Sequence, residues 1–189
     1  MVIKMKTNIE IEFKTFITKE KYDYLIGQFD LEGNIFSQVN YYFDTANLDL
    51  LNANLVLRIR KKGSFYKLTS KSHSDNGAYE THILLDEDEA LNMIQNGFDA
   101  NIIGINHFVK NICALQTDRV STPYKDGVVF FDKSSYYGKV DYEIEYEVDS
   151  YKEGKVAFKA FLDEFDIPYV PSIRKSYRAY SAFKEIQNK

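Results

Sequence analysis

Glu10-Ile11-Glu12-Phe13-Lys14 lies within Ile9–Phe16, where Glu10, Glu12 and Lys14 alternate with Ile9, Ile11 and Phe13. Successive side chains of a β-strand point to opposite faces, so this run reads as a strand with one charged and one apolar face. The same alternation recurs downstream. Leu55, Leu57 and Ile59 oppose Arg58 and Arg60; Tyr66 and Leu68 oppose Lys67, Thr69 and Lys71; Tyr142, Ile144 and Tyr146 oppose Asp141, Glu143, Glu145 and Glu147. Ordinary amphipathic strands would turn these charges to water. Two features favour the other arrangement. The charges are sorted by sign, acidic on the first and last strands and basic between them, whereas a solvated face mixes signs. The apolar faces are bulky and aromatic, and helices with apolar stripes are available to cover them, which would leave the charges pointing inward.

Working outward, eight strands are expected: Ile9–Phe16, Gln38–Phe43, Leu55–Lys61, Phe65–Ser70, Gly77–Leu85, Leu115–Ser121, Gly127–Ser134 and Lys139–Val148. Lys62-Gly63-Ser64 would turn a hairpin. Thr18 caps a helix over Lys19–Phe29, and Asp86 one over Asp86–Asn96 ending near Gly97. Tyr151–Phe165 and Ser176–Gln187 read as amphipathic helices, Asp44–Asn54 as a turn-rich connection, and Ile102–Leu115 as either short helices or loop. The fold class is therefore α+β: a closed eight-stranded antiparallel β-barrel, or tunnel, with helices packed outside, since closure removes the sheet edges.

The 189 residues suit a single domain, 1–189, and 9 Gly and 3 Pro leave no linker. A net charge of −4 argues against a general nucleic-acid partner. No apolar run approaches the ~20 residues needed to cross a bilayer, and Met1–Phe13 lacks a signal-peptide h-region. A lone cysteine, Cys113, fits a buried thiol in a cytoplasmic protein. A homodimer is compatible with the sequence.

Charges inside a barrel are costly unless paired or coordinating. Sorted carboxylates suit a hard cation such as Mg²⁺ or Mn²⁺, and sorted Lys and Arg suit phosphate, which Arg grips through two oxygens. A polyphosphate with a divalent metal satisfies both faces, because the metal bridges phosphate oxygens to carboxylates.

Glu10-Ile11-Glu12-Phe13-Lys14 also matches the ExExK signature of the CYTH, or triphosphate tunnel metalloenzyme, family. In order along the chain, Tyr42-Phe43-Asp44, Leu57-Arg58-Ile59-Arg60, Leu68-Thr69-Ser70-Lys71, Glu80, Thr117-Asp118-Arg119, Glu143-Ile144-Glu145 and Lys175-Ser176-Tyr177 resemble its further segments. The resemblance runs from residue 8 to about 180 and is strongest to short single-domain forms of Gram-positive bacteria. It implies a tunnel open at both ends. It implies that Glu10, Glu12 and Glu80 hold metal, with Glu143 and Glu145 opposite, and that Lys14, Arg58, Arg60, Lys71, Arg119 and Lys175 contact the triphosphate. Glu143, Glu145 and Lys14 would be catalytic, and Asp132 would face the tunnel by strand parity.

Two positions depart from the family pattern. His82 stands where a second acidic residue is common, and Thr117 where a Lys is common. His82 is expected to make a hydrogen bond to a neighbouring ligand. His73 and His107 read as surface or loop residues. Asp86–Glu89 reads as a charged helix start, and Tyr22, Phe29, Phe158, Phe161 and Phe165 as core. The activity expected is metal-dependent hydrolysis of a triphosphate, inorganic or organic, such as thiamine triphosphate or a nucleoside triphosphate. Two rival readings are an adenylate cyclase, whose His-Phe segment before ExExK is missing from Met1–Thr7, and a non-catalytic polyphosphate or nucleotide binder.

Overall fold

A computed structural model of the chain describes residues 6–74 and 77–188; the stretch read for a signal peptide falls partly outside, at 1–5. Eight long strands are present: β1 (Lys6–Ile17), β2 (Phe36–Asp44), β3 (Leu55–Lys62), β4 (Phe65–Ser74), β5 (Gly77–Leu85), β7 (Phe108–Tyr124), β8 (Gly127–Tyr136) and β9 (Lys139–Val148). A two-residue β6 (Phe98–Asp99) adds to β7. The order is β2-β3-β4-β5-β1-β9-β8-β7, and β2 pairs back onto β7, closing an antiparallel barrel. Helices α1 (Lys19–Gln28), α3 (Glu87–Asn96), α4 (Tyr151–Glu164) and α5 (Lys175–Gln187) lie outside it, with a single turn, α2 (Asp49–Asn52), in the β2–β3 connection.

The local chemistry accounts for most boundaries. Thr18 accepts from the Lys21 amide and starts α1. Gly63, at φ +58°, supplies the left-handed residue of the β3–β4 turn. Asp86 occupies the cap position of α3, but its side chain makes no capping bond there, so Glu87–Glu89 support that helix start through the dipole alone. The ambiguous stretch after residue 102 resolves into a 3₁₀ turn, Ala100–Ile103, followed by β7, which begins at Phe108. A register shift between Asn111 and Cys113, opposite Phe43 and Tyr42, breaks the two-residue period of this strand.

Three apolar layers sit between strands and helices, one of them packing Tyr42, Leu115 and Tyr136 under Ala179 and Ala182 of α5. A second packs Leu57, Ile59, Tyr66, Leu68 and Ile83 under Ala90 and Met93 of α3. The third packs Val129, Phe131, Ile144 and Tyr146 under Tyr22 and Leu25 of α1 and Phe158 and Phe161 of α4. Phe161 has no exposure, and its ring meets Phe29, Tyr124, Phe131 and Phe165. Burying such a side chain contributes about 1.5–3 kcal/mol by transfer from water. Because Leu57 and Ile59 face this outer layer, strand parity turns Arg58 and Arg60 into the barrel. The helices thus decide which face of each strand is lined with charge.

Candidate functional site

Strand order places the charges. Four steps around the barrel from β3 lies β9, so Arg58 and Arg60 face Glu143, Glu145 and Glu147. The expectation that Glu10 and Glu12 stand opposite Glu143 and Glu145 is corrected. β1 and β9 are hydrogen-bonded neighbours, with Glu12 paired to Glu147 and Lys14 to Glu145, so these carboxylates form one wall. Glu80 extends that wall on β5, the other neighbour of β1.

Two clusters form along the acidic wall. In one, the Lys71 ammonium contacts Glu10 and lies 3.4 Å from Glu12 and 3.6 Å from Glu80. Lys14 contacts Glu12 at 3.0 Å. In the other, Lys175 reaches Asp132 at 2.7 Å, Glu145 at 2.7 Å and also Glu143. Arg119 holds Asp132 through two nitrogens at 2.7 and 2.6 Å and also contacts Glu145. Asp132 and Glu143, with 0% and 1% exposure, are sealed from water.

The proton equilibria follow from these contacts. Burial pushes the Glu145 carboxyl up, but Lys175, Arg119 and Lys14 hold it well below the usual range. Glu12 is also pushed up by burial and by Glu145, yet Lys14 and Lys71 leave it lowered. Glu10 is raised, chiefly by burial, despite Lys71. Glu147 is pushed up to about 7 by burial and by Glu10, with Glu145 and Glu12 adding to the effect. On the basic wall, burial and the charges of Arg58 and Arg119 bring Arg60 down to about 9.

The raised Glu147 carboxyl gives a testable sign. The folded chain holds this proton more tightly than the unfolded chain, so stability falls as pH rises from the unfolded value of 4.5 through about 7. Glu147→Gln is therefore expected to raise the melting temperature at pH 8 in metal-free buffer, with the gain disappearing near pH 4.5. Equal melting temperatures for the two proteins at pH 8 would contradict this.

His82 sits between Thr69 and Glu80. The buried Thr69 hydroxyl lies 3.1 Å from Nδ1, and Nε2 lies 3.2 Å from a Glu80 oxygen. With the hydroxyl donating to Nδ1, the Nε2–H donates to Glu80. This bond, with Arg58 and Lys71, keeps the Glu80 carboxyl well below its usual range against the upward push of burial. The other Glu80 oxygen is buried without a hydrogen-bond partner. The Thr117 hydroxyl is likewise buried and unpartnered, as is that of Ser134, its pair across β7 and β8.

Several side chains escaped the sequence reading. Thr15 exchanges hydrogen bonds with the backbone of Val170, fixing the chain before α5 along β1. That segment delivers Ser172 to Glu143 at 2.5 Å, and α5 delivers Arg178 to Glu143 at 2.7 Å and Asp141 at 2.6 Å. Gln38 and Asn40 are buried on the inward face of β2, where Asn40 accepts from Arg60 at 3.0 Å. Nothing local marks these residues, because their partners are distant in sequence. His73 is also corrected: it lies on β4, half-buried against the inner chamber, and burial with Arg174 and Lys71 brings it down to about 4. His107 is in an exposed turn, and Cys113 is buried, its thiol pushed up to about 12.

The two ends of the barrel differ. Lys175, Arg178 and the Ser172–Arg174 segment cross one end, leaving an inner chamber of about 70 Å³ that includes Lys14, Lys71 and Lys175. The helix α5 itself stays outside the barrel; only the Lys175 and Arg178 side chains of its first turn reach in to Asp141 and Glu143, and a further cavity of about 260 Å³, lined in part by Glu12, Lys14 and Arg174, lies at this end. The other end opens into a cavity of about 750 Å³, lined in part by Arg58, Arg60, Lys67 and Arg119.

A closed eight-stranded barrel with an acidic wall facing a basic one defines a class, and the chain belongs to the CYTH domain family, whose profile matches residues 8–180. Among its relatives is YjbK of Bacillus subtilis (strain 168), named as a candidate triphosphatase. It is 33% identical over 191 residues, covering 93% of this chain and 96% of that one. A crystal structure of a candidate adenylate cyclase from Bacillus halodurans superposes with a TM-score of 0.84 at 34% identity, covering 91% of this chain and 97% of that one. The Hippeastrum protein HpAC1, a candidate adenylyl cyclase described as having a dominant triphosphatase activity, shares the fold. Its TM-score is 0.71 at 20% identity, over 92% of this chain and 95% of that one. No helix among the described residues is long and apolar enough to cross a membrane.

Proposed function

We propose that this chain is a divalent-metal-dependent triphosphatase. One observation carries the reading: Arg60 has no carboxylate of its own among the described residues, and Arg58 only Glu80 at 3.8 Å, while both face a wall of carboxylates. Two walls of opposite sign leave room for a ligand that brings its own anions to one and a cation to the other.

The donor set fits a hard cation. Oxygens of Asp132, Glu143 and Glu145 all lie within 4.8 Å of one another, and one Glu80 oxygen is buried without a hydrogen-bond partner. Glu10, Glu12, Glu80, Glu143 and Glu145 would hold Mg²⁺ or Mn²⁺, which would neutralise phosphate charge and acidify bound water. Arg58 and Arg60 bind non-bridging oxygens, and Lys14, Lys71, Arg119 and Lys175 stabilise charge on the reacting and leaving phosphoryl groups. Glu145, held anionic, orients the attacking water, and Glu143 accepts from Ser172 and Arg178 so that it points the same way. His82 fixes Glu80.

Purified protein is expected to release phosphate from tripolyphosphate with Mg²⁺ or Mn²⁺ and to stop on addition of EDTA. No release with either ion from folded protein would sink the proposal. Product analysis with ATP separates hydrolysis, which yields ADP and phosphate, from cyclisation, which yields cyclic AMP and pyrophosphate.

A further inference from the structure

The cations of the barrel fall into two populations. Those of the inner chamber are committed: Lys14, Lys71, Arg119 and Lys175 each contact one to three carboxylates. Towards the open mouth, Arg60, Lys67 and Lys62 have no ion-pair partner among the described residues. Arg60 and Lys67 are paired across β3 and β4, and Lys62 is one inward position further out on β3. All three line the mouth cavity.

These groups repel one another. Burial with Arg60 and Arg58 brings the Lys67 ammonium down, and the buried Nε of Arg58 has no acceptor. Lys62 is held in place by the face of Phe36, its ammonium 3.5 Å from the ring centroid. Cations gathered at one mouth without a carboxylate in ion-pair contact favour an anion that can bind several of them at once.

The cluster is also longer than a triphosphate needs. From Arg58 to Lys62 is about 13 Å along the strand, at ~3.3 Å per residue. Three phosphorus atoms joined by single bridging oxygens, with one end held among the inner carboxylates, stop short of Lys62. Beyond them the mouth sets the Lys62 and Lys67 ammonium groups among apolar side chains that include Phe36, Phe65, Leu84 and Phe130. The Phe36 face is covered by Lys62 and the Phe130 face by Arg119, 4.5 Å from its centroid. Phe65 projects from the rim, 74% exposed, and lines the same mouth as Phe36 and Phe130. Asp126 and Glu147 stand on the acidic side of the mouth.

We infer that Lys62, Lys67 and Arg60 form an outer anion subsite for a fourth phosphoryl group, making linear polyphosphates of four or more units the preferred substrate class. The chain end enters the inner chamber and the remainder leaves through the mouth. This inference rests on the triphosphatase reading.

The test compares tripolyphosphate, tetrapolyphosphate and ATP on the wild type and on a Lys62→Met/Lys67→Met variant, checked for folding by circular dichroism. Calorimetry in EDTA reads binding without turnover, and phosphate release with Mn²⁺ reads kcat/KM. Tetrapolyphosphate is expected to bind at least five-fold tighter than tripolyphosphate to the wild type, with a matching rise in kcat/KM, and the variant is expected to lose that ratio. Equal affinity for the two polyphosphates, a ratio that survives in the variant, or a preference for ATP over tetrapolyphosphate would each overturn the subsite. Absence of any phosphate release would instead overturn the triphosphatase reading, while the calorimetric ratio still decides the subsite.

Discussion

Glu145→Gln is expected to lower kcat/KM for tripolyphosphate by about 10²–10³-fold, the range that follows loss of one preorganised electrostatic contact to a transition state. The side chain is 6% exposed and receives Lys175 at 2.7 Å as well as Arg119. Its carboxyl is held well below the usual range, so it carries full charge at neutral pH. Gln keeps the shape and removes the charge. Lys175 and Arg119 retain Asp132, so the barrel stays folded and the loss is chemical. The concentration of Mn²⁺ giving half-maximal rate should rise by at least about ten-fold, since ligand-site changes cost 10–100-fold in metal affinity. A kcat/KM loss under ten-fold with unchanged metal dependence would remove Glu145 from the site.

Arg119→Met should show the largest effect on stability, about 3–5 kcal/mol in urea unfolding, the cost of leaving buried charge without its partner. Arg119 is 8% exposed and grips Asp132, which has no exposure, through two nitrogens. Removing it leaves Asp132 and Glu145 to share Lys175. A second change, Asp132→Asn, removes the stranded charge and is expected to restore part of the loss, so the two effects will not add. Additive losses would mean that Arg119 stabilises by packing on Phe130, 4.5 Å away, rather than by pairing.

Both effects depend on contacts that the sequence reveals unevenly. The alternation around Glu10, Arg58 and Glu143 is local, and strand parity alone sorts their faces. Asp132 shows its parity but not the two cations that neutralise it, because Arg119 and Lys175 lie 13 residues before it and 43 after. Ser172 and Arg178 carry no local mark, since neither lies on a charged strand face. His73 lies past the alternating run that marks its strand, so the sequence places it at the surface or in a loop. The role of α5 is hidden for a related reason: it looks like an amphipathic surface helix, yet its first turn sends an ammonium and a guanidinium to the carboxylates at one end of the barrel.

The ordered resemblance to the CYTH segments implied the class of barrel, and the sequence by itself determined the strand faces, the separation of charge by sign and the oxygen-rich chemistry. These follow from periods of two residues and from residue type, both local properties. Only the tertiary structure decided that β1 pairs with β5 and β9, so that the carboxylates share one wall. It alone decided which cations are spent on those carboxylates and which are left for a ligand. Pairing between strands depends on how the chain closes on itself, and closure brings together residues whose separation in sequence carries no information about their distance.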